Sequence, residues 1–368
     1  MRVAFDTSVT ETDPGGISRY VHELLGALER DAHGVEVLRV NMFEEWPTTR
    51  RLERHLKILV HDQLWVRRGM VTTGRRLGAD LIHGSAFKVA AVDDPAASMT
   101  IHDDTPWDSP PTASLYNRIN LQKTLERAAP IVRGALFSND LTASAVLRHL
   151  PVLEGRTFVT PFGINHAAFR PVPEHLVERA RGRYGILGRP YVLMVGPYGP
   201  RKNYTRMIEA LTRMHEQPQG LSVVVTGRGA GPARSSLPLI ETGFIGDEDL
   251  AALYAGAEFL FYASLSEGFG FPVLEAMACG CSVLTSRGTV LEELAGDAAT
   301  LVDPTDVSAM TAAGESMIAD RGLRQELAAA GMKRARLFDW DQTAAATAQA
   351  WQSMISASSG GVALRMEP

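Results

Sequence analysis

The stretch "SEGFGFPVLEAMACG", residues 266–280, carries two glutamates on either side of a glycine-rich turn. The segment before it, "EFLFYAS" at 258–264, is a short apolar run of the kind that forms a buried strand. Pro272 suits the first turn of a helix, because its fixed φ fits there and its missing N–H would have no partner. Gly280 is typical of the residue just after a helix. The sequence therefore predicts a strand, a turn and a helix over 272–279.

The two glutamates, Glu267 and Glu275, are predicted to border one ligand site. Glu267 follows the strand, where ligands of parallel sheets collect, and Glu275 leans back toward the same space because helical side chains tilt toward the N-terminus. Gly268 and Gly270 leave the amides of the helix N-terminus open to an anion such as phosphate. Ionised carboxylates only accept hydrogen bonds and therefore suit sugar hydroxyls. The pattern favours a nucleotide-sugar; the alternative is a solvated loop residue beside a glutamate that only complements the helix dipole.

Short apolar runs without strict alternation, each followed by a turn and a helical segment, occur in two series along the chain. Such runs are typical of strands buried on both faces. The predicted fold class is therefore α/β, with two Rossmann-like doubly wound parallel-sheet domains facing a cleft. We place the domains at 1–168 and 169–345, followed by a C-terminal helix and tail at 346–368 that packs back on the first domain. The predicted strands are "RVAFDTSV", "VEVLRVN", "ADLIHGSA", "ASMTIHD", "GALFSND" and "RTFVTPF" in the first series, and "YVLMVG", "LSVVVTG", "EFLFYAS" and "CSVLTS" in the second.

The composition limits the class of protein. The chain has 368 residues, enough for two domains, and a formal net charge of −5. Nucleic-acid-binding domains usually carry a basic surface, so nucleic acid is not an expected partner. Cys279 and Cys281 stand too close for an ordinary disulfide and lack the further ligands that zinc needs. Because no apolar run reaches the roughly 18 residues of a membrane span, we expect a cytoplasmic protein.

These features make the chain resemble the retaining glycosyltransferases of family 4, which have the GT-B fold. The resemblance extends over nearly the whole chain, is strongest over 243–306 and includes the E-x7-E signature of that family at 267–275. It implies that the first domain binds the acceptor and the second binds a nucleotide-sugar donor. The N-terminal half most resembles polysaccharide mannosyltransferases, which implies mannose from GDP-mannose. Glu275 would hold the donor ribose, and the donor sugar would meet Glu267, Gly268, Phe269 and Gly270.

The same resemblance implies further site residues. "GPRKN" at 199–203 resembles the diphosphate clamp of the family, with Arg201 and Lys202 stabilising the departing nucleoside diphosphate. One common form of the clamp has an arginine where this chain has Pro197, and Arg201 would replace it. Three more segments match: "PGGISRY" would bring Gly15 and Gly16 to the phosphates or the acceptor, "IHDDTP" would turn His102 to the transferred sugar, and "GFIG" would read the base through the backbone around Ile245.

We expect no metal cofactor, because preorganised cations and amides can themselves stabilise a diphosphate leaving group. The rival interpretation is a metal bound at "DED", residues 247–249. Asp247 precedes a helical segment, however, and the sequence favours it as an N-cap with acidic residues in the first turn. Asp103 and Asp104 could also ligate a cation, although adjacent aspartates after a strand are more often loop and cap residues.

The sequence thus predicts a hexosyltransferase that moves a sugar to a saccharide or lipid-linked acceptor in polysaccharide or glycoconjugate synthesis. Two alternatives stay open at this point. One is a nucleotide-sugar epimerase of GT-B-like fold, which would convert the donor without any acceptor. The other is a non-catalytic subunit that binds sugar nucleotides.

The segment 48–77 combines eight basic residues with a helical apolar stripe. One hypothesis is a peripheral contact with anionic lipid head groups at the inner face of a membrane, which would suit a membrane-linked acceptor. The alternative is a helix that packs on the core and exposes a solvated basic face.

Overall fold

A computed structural model describes residues 1–11, 15–43, 60–107, 115–215, 218–227 and 236–356. The chain divides into two compact units: unit 1 consists of Met1–Gly163 and Trp340–Pro368, and unit 2 of Ile164–Asp339. The chain therefore leaves unit 1 after residue 163 rather than after 168. It returns at residue 340 rather than at 346, because the last described helix belongs to unit 1 as a whole.

Unit 1 is built on a six-stranded parallel sheet with the order β2-β1-β3-β4-β5-β6. The inner strands β3, β4 and β5 are buried along their whole length, which explains their continuous apolar sequences. The strands are β1 Arg2–Asp6, β2 Glu36–Val40, β3 Leu81–Gly84, β4 Ala96–Thr100, β5 Gly134–Phe137 and β6 Thr157–Val159. The helices between them are α1 Gly16–Arg30, α2 Met70–Leu77 after a π-helical segment His61–Gly69, α3 Leu115–Ala128 and α4 Asp140–Leu147, with 3₁₀ turns at Ser8–Glu11 and Pro151–Leu153.

Unit 2 is built on a second six-stranded parallel sheet with the order β12-β11-β10-β7-β8-β9. This is the strand order of a dinucleotide-binding Rossmann fold, with its switch point between β7 and β10. The strands are β7 Tyr191–Val195, β8 Ser222–Thr226, β9 Leu239–Gly243, β10 Phe259–Tyr262, β11 Val283–Ser286 and β12 Thr300–Val302. The helices are α5 Glu174–Arg183, α6 Tyr204–Arg213, α7 Asp247–Gly256, α8 Phe271–Ala278, α9 Val290–Ala295, α10 Val307–Ala319 and α11 Arg321–Ala335, with 3₁₀ turns at Pro200–Lys202 and Gly296–Ala298.

The last helix, α12 Trp340–Ser356, packs in unit 1. Arg30 at the end of α1 forms an ion pair with Asp341, 2.6 Å from NH2 to Oδ1. Gln352 donates a hydrogen bond to the carbonyl of His33 at 2.8 Å. Trp351 is fully buried, and its Nε1 donates to Nδ1 of His83 in β3 at 3.3 Å. The predicted packing of the C-terminal helix on the first domain thus has specific contacts.

A buried polar centre lies inside unit 1 and consists of Tyr20, His83, Ser98, Thr100 and Trp351. The two ring nitrogens of His83 lie 2.9 Å from Ser98 Oγ and 3.0 Å from Thr100 Oγ1, both in the neighbouring strand β4. The hydroxyls of Tyr20 and Thr100 are 2.9 Å apart. Burial, assisted by the charge of His102 and opposed by that of Asp6, lowers the pKa of the His83 imidazole to about 3. The centre is therefore uncharged at neutral pH.

Each of the ten predicted strand segments overlaps a strand of the structure. Two further strands, β9 and β12, were not predicted. The predicted helix after the glycine turn begins at Phe271, with Pro272 in its first turn, and Gly280 follows its end with a φ of +76°. Cys279 and Cys281 are buried thiols. Among the described residues, no helix is long and apolar enough to cross a membrane.

Candidate functional site

The carboxyl edge of the unit 2 sheet contains a switch point. From β7 the chain proceeds to β8 and β9 on one side, whereas β10, β11 and β12 extend on the other side. Ligands of open α/β sheets bind at such a point, beyond the carboxyl ends of the two strands. The turn "GPRKN" (199–203) follows β7 and the loop with Glu267 follows β10, so the topology brings the two predicted segments to one place.

Hydrogen bonds tie the "GPRKN" turn to the loop after β10. The N–H of Leu265 donates to the carbonyl of Arg201 at 2.9 Å, and Nδ2 of Asn203 donates to the carbonyl of Ala263 at 3.0 Å. Asn203 has a φ of 59°, in a region that asparagine enters more readily than most residues. These contacts fix the backbone that carries the two predicted cations.

Lys202, Glu267 and Tyr262 form a closed triangle of hydrogen bonds. Lys202 Nζ donates to Glu267 Oε1 at 2.7 Å and also to the hydroxyl of Tyr262. That hydroxyl donates to Glu267 Oε1 at 2.9 Å. The ammonium also lies over the Tyr262 ring, 4.7 Å from its centroid, which is within cation–π range. One aromatic side chain thus contacts both charged groups.

Arg201 adds a second positive charge, with NH2 3.8 Å from Glu267 Oε2. We call Arg201, Lys202, Tyr262 and Glu267 the cationic cluster, because it holds two cations and one carboxylate. The side chain of Glu267 is 7% exposed and that of Lys202 12%, whereas that of Arg201 is 29% exposed. The surplus positive charge, partly withdrawn from water, favours an anionic ligand.

The charges in the cluster set its protonation state. Burial alone would raise the pKa of the Glu267 carboxyl, but the charges of Lys202 and Arg201 outweigh it and hold that pKa below its ordinary value. Burial, and then the charge of Glu267, raises the pKa of Tyr262 well above its usual range. Glu267 is therefore ionised and Tyr262 is a neutral phenol that can donate a hydrogen bond to it.

The glycine turn after Glu267 has a packing requirement of its own. Gly270 has a φ of +111°, and a Cβ there would lie 2.4 Å from Leu291 Cδ2. Phe269 is buried against Phe271, with ring centroids 5.0 Å apart, and also contacts Phe338. The small residue at 270 thus allows α9 to approach the start of α8, whereas the ligand contacts predicted for Gly268, Phe269 and Gly270 stay predictions.

Glu275 is buried in the second turn of α8, where it is 3% exposed. Its Oε2 accepts a hydrogen bond from the hydroxyl of Tyr254 in α7 at 3.1 Å. Ile245 is half-buried in the segment between β9 and α7. At the end of β9, the carbonyl of Gly243 accepts a bond from the N–H of Gly227 after β8 at 2.9 Å. The base-reading role of Ile245 and the ribose-binding role of Glu275 stay predictions.

The predicted residues of unit 1 lie at two element ends. His102 follows β4 and is buried, with Nε2 2.8 Å from the carbonyl of Ser85. Because a carbonyl only accepts, Nε2 carries the proton and the His102 ring donates to Ser85. Gly15 and Gly16 are exposed at the start of the 15-residue helix α1. Their roles toward the sugar, phosphates or acceptor also stay predictions.

The acidic segment 247–249 starts helix α7, but the predicted N-cap is wrong by one residue. Gly246 has the extended backbone of the cap, and Asp247 is the first helical residue, because its backbone has already turned helical. Glu248 pairs with Arg179, and Asp249 Oδ2 lies 2.6 Å from Arg183 NH1. After β4, Asp103 Oδ1 accepts the N–H of Thr105 at 3.1 Å. Within the described parts of the chain, no group of three His, Cys, Asp or Glu side chains could hold a metal ion.

The basic segment 48–77 is only partly described. Residues 48–59, which include Arg50, Arg51, Arg54 and Lys57, lie outside the described residues. Over the rest, Leu64 is 60% exposed and lines a groove of about 560 Å³ with Trp65 and Arg68. The exposed basic side chains here are Arg67, Arg68, Arg75 and Arg76.

Comparison with known proteins identifies the family of most of unit 2. Residues 177–334, which hold the cationic cluster, match the family model described as "Glycosyl transferases group 1". Residues 177–334 of this chain therefore form a group 1 glycosyltransferase domain. The chain is 27% identical over 267 residues to the O-antigen chain mannosyltransferase B of Escherichia coli, covering 70% of each chain.

Two further similarities bear on the sugar and on the fold. The GDP-mannose-dependent alpha-(1-6)-phosphatidylinositol monomannoside mannosyltransferase of Mycolicibacterium smegmatis is 31% identical over 204 residues, or 50% of each chain. Sucrose-phosphate synthase from Thermosynechococcus elongatus superposes with a TM-score of 0.72 at 20% identity, covering 97% of this chain and 100% of that one. The predicted GT-B fold is confirmed, as is a hexosyltransferase activity. The matches support sugar transfer and not epimerisation.

Two functional candidates were not among the predicted residues. Tyr262 contacts both charged groups of the cationic cluster, and Tyr254 contacts Glu275. In the sequence both tyrosines stand within apolar runs and therefore look like core residues. The one available signal is position, because Tyr262 is the last residue of a buried strand that leads into the ligand edge.

Proposed function

We propose that this glycosyltransferase moves mannose from GDP-mannose to a saccharide or lipid-linked acceptor and retains the configuration at the anomeric carbon. Support for mannose comes from two relatives that are named as mannosyltransferases, and support for GDP from the one named as GDP-mannose-dependent. The observation that carries the proposal is the cationic cluster at the switch point of unit 2. Two cations beside one ionised carboxylate suit a ligand in which a diphosphate is joined to a sugar.

The cations would stabilise the leaving group. When the bond between the anomeric carbon and the diphosphate oxygen breaks, negative charge develops on the diphosphate. Cations that are already in position stabilise this charge without reorganising. Lys202 directs two of its three N–H bonds to described side chains, which leaves one for a phosphate oxygen. Arg201, the more exposed cation, can reach a second oxygen.

The carboxylate would bind the sugar. An ionised carboxylate offers about four acceptor positions, and Oε1 of Glu267 receives two of the hydrogen bonds described above. Sugar hydroxyls can use the remaining positions. In the proposed scheme Glu275 holds the ribose, the backbone around Ile245 reads the base, and His102 faces the transferred sugar.

The proposed transfer proceeds on one face of the sugar. The acceptor hydroxyl oxygen bonds to the anomeric carbon as the diphosphate departs, and a leaving phosphate oxygen takes the hydroxyl proton. No protein nucleophile enters this scheme. We also propose that it needs no metal ion, because the two cations take the place of a Lewis acid at the diphosphate.

A panel of donors tests the proposal. GDP-mannose, GDP-glucose, UDP-glucose and UDP-galactose are incubated with EDTA and with mannose-terminated oligosaccharide or polyprenyl-linked acceptors. We expect acceptor-dependent release of GDP from GDP-mannose, and an α-linked product by NMR. A donor present at 100 times its Kd should also stabilise the protein by about 2.7 kcal/mol. A preference for UDP donors would overturn the GDP assignment, and conversion of the donor without an acceptor would favour an epimerase.

We also propose that the protein contacts a membrane peripherally, which would bring it close to a lipid-linked acceptor. The exposed arginines of α2 and the preceding π-helical segment, next to the exposed Leu64, are suited to anionic lipid head groups. Co-sedimentation with vesicles that contain increasing fractions of phosphatidylglycerol tests this contact. Binding that does not depend on the fraction of anionic lipid would contradict the proposed contact.

A further inference from the structure

Tyr262 has no role in the transfer scheme above, although it lies at the centre of the cationic cluster. It is the last residue of β10, and its side chain is buried. Its single hydroxyl accepts from Lys202 and donates to Glu267, while its ring lies against the Lys202 ammonium. A residue needed only to fill the core would require none of these polar contacts.

We infer that Tyr262 is a positioning residue that holds the Lys202 ammonium and the Glu267 carboxylate in the arrangement that receives the diphosphate and the sugar. The inference rests on the proposed function of this site. Tyr262 acts through its two neighbours, since its hydroxyl is occupied by them.

Tyr262 restricts the conformational freedom of the Lys202 side chain. A lysine side chain has many rotamers, and holding it in one of them costs up to about 2 kcal/mol of entropy. Two side chains contact the ammonium: Tyr262, through its hydroxyl and its ring, and Glu267, through its carboxylate. Because this ordering precedes ligand binding, it need not occur when charge develops on the leaving group.

Tyr262 also helps to stabilise the charge of Glu267. Its carboxylate is buried, so it requires donors, and the Tyr262 phenol supplies one from a group that stays protonated. Loss of this donor would raise the pKa of Glu267, since a hydrogen bond to the charged form favours ionisation. The phenol therefore helps to keep Glu267 an acceptor for sugar hydroxyls.

The test compares Tyr262→Phe with Tyr191→Phe. Phenylalanine at 262 keeps the ring and the packing but removes the hydroxyl. Tyr191 is the matched control: it begins the neighbouring strand β7 at the opposite edge of the sheet, and its buried hydroxyl donates to the carbonyl of Leu253 at 2.7 Å. Both variants lose one buried phenol oxygen from the core of unit 2.

We expect Tyr262→Phe to lower kcat about 10- to 100-fold, the range for one charge-assisted hydrogen bond, with a change in donor KM of less than about threefold. The acid limb of kcat/KM should move to higher pH as the pKa of Glu267 rises. Tyr262→Leu, which also loses the ring, should lower kcat further. Tyr191→Phe should change kcat by less than about twofold and should leave the acid limb of kcat/KM in place. Equal kinetic effects in Tyr262→Phe and Tyr191→Phe would overturn the inference.

Ligand-free crystal structures of the wild type and of Tyr262→Phe separate this inference from the proposed function. We expect Lys202 Nζ to leave Glu267 or to occupy several rotamers in the variant. If the ammonium instead stays about 2.7 Å from Glu267 Oε1, as in the intact protein, positioning by Tyr262 is refuted whatever the enzyme transfers. Failure of the wild type to use any nucleotide-sugar would refute the proposed function, while displaced Lys202 in the variant would still support the positioning role.

Discussion

Unit 1 and unit 2 share the same architecture but bury polar groups for different purposes. The buried polar centre of unit 1 joins neutral side chains, with Trp351, His83 and Thr100 in one hydrogen-bonded chain. The cationic cluster of unit 2 joins charged side chains around Glu267 and leaves Arg201 partly exposed. Each group includes residues of a six-stranded parallel sheet and of the elements next to that sheet.

The difference shows how burial is matched to charge. A fully buried imidazole is most stable when neutral, and the lowered pKa of His83 keeps it so. A buried charge instead requires partners, and two opposing cations compensate Glu267. The neutral centre carries no charge at neutral pH, whereas the cationic cluster combines two cations with one carboxylate. Four substitutions test this contrast.

The largest effect is expected from Trp351→Ala in unit 1. Removing a fully buried tryptophan should lower the free energy of unfolding by about 3–5 kcal/mol. Urea unfolding measures the loss, and Trp351→Phe, which keeps a ring in place, should lose less. Where Trp351→Ala is still folded, its affinity for GDP should stay within about threefold of the wild type. A loss of under about 1 kcal/mol would show that the polar centre does not anchor α12.

Lys202→Met in unit 2 should act on turnover. Methionine roughly keeps the length of the apolar stem but removes the cation, and loss of one such donor typically lowers kcat by about 10²–10³-fold. The matched control is Arg213→Ala in α6, whose exposed cation forms a surface ion pair with Glu209 at (i, i+4) and should contribute little. Steady-state kinetics with GDP-mannose distinguish them. Turnover of Lys202→Met above about one tenth of the wild-type value would contradict a role at the leaving group.

His83→Gln should change how the stability of the protein depends on pH. The folded pKa of His83 is about 3, whereas an unfolded histidine has a pKa of about 6.5. Below pH 6.5 the unfolded chain binds a proton that the folded chain does not, so the stability of the wild type falls as pH decreases toward 3. Between pH 6.5 and 4.5 this one group contributes roughly 2 kcal/mol of loss.

The variant lacks this titration and should lose correspondingly less stability over the same interval, although it starts from a lower value at pH 7. Urea unfolding at several pH values measures both slopes. If the free energy of unfolding had the same slope against pH in the wild type and in His83→Gln, burial would not be what keeps the imidazole neutral.

The smallest effect is expected from Glu248→Gln. Its ion pair with Arg179 is exposed on both sides, so stability should change by less than about 0.5 kcal/mol. Turnover and its insensitivity to EDTA should equal those of the wild type. A large loss of turnover that depends on added Mn²⁺ or Mg²⁺ would instead support a metal site at 247–249.

The sequence predicts most of the fold because buried parallel strands are continuous apolar runs. The two strands that it misses have weaker signals. In β9 no residue is fully buried and Glu241 is exposed, while β12 has three residues, of which only Val302 is buried. Both are outer strands of the unit 2 sheet, where one side lacks a partner strand and the hydrophobic pattern is weak.

The candidate site is predictable where charge stands in an unusual place. Glu267 and the pair Arg201 and Lys202 are conspicuous in loops after strands. Tyr262 is not, because a tyrosine inside "EFLFYAS" looks like packing, and only the register of the sheet shows that its hydroxyl meets two charges. Gly270 also stands out in the sequence, but the sequence does not show why glycine is needed there. A Cβ at this position would meet the side chain of Leu291, which lies in another helix.

The placement of α12 has a consequence for synthesis. Because Trp340–Ser356 completes unit 1 while the whole of Ile164–Asp339 lies in unit 2, the ribosome finishes the second unit first. A nascent chain that ends before Trp351 leaves His83 without its indole partner and the surface under α12 uncovered. The unit translated first is therefore the last to close.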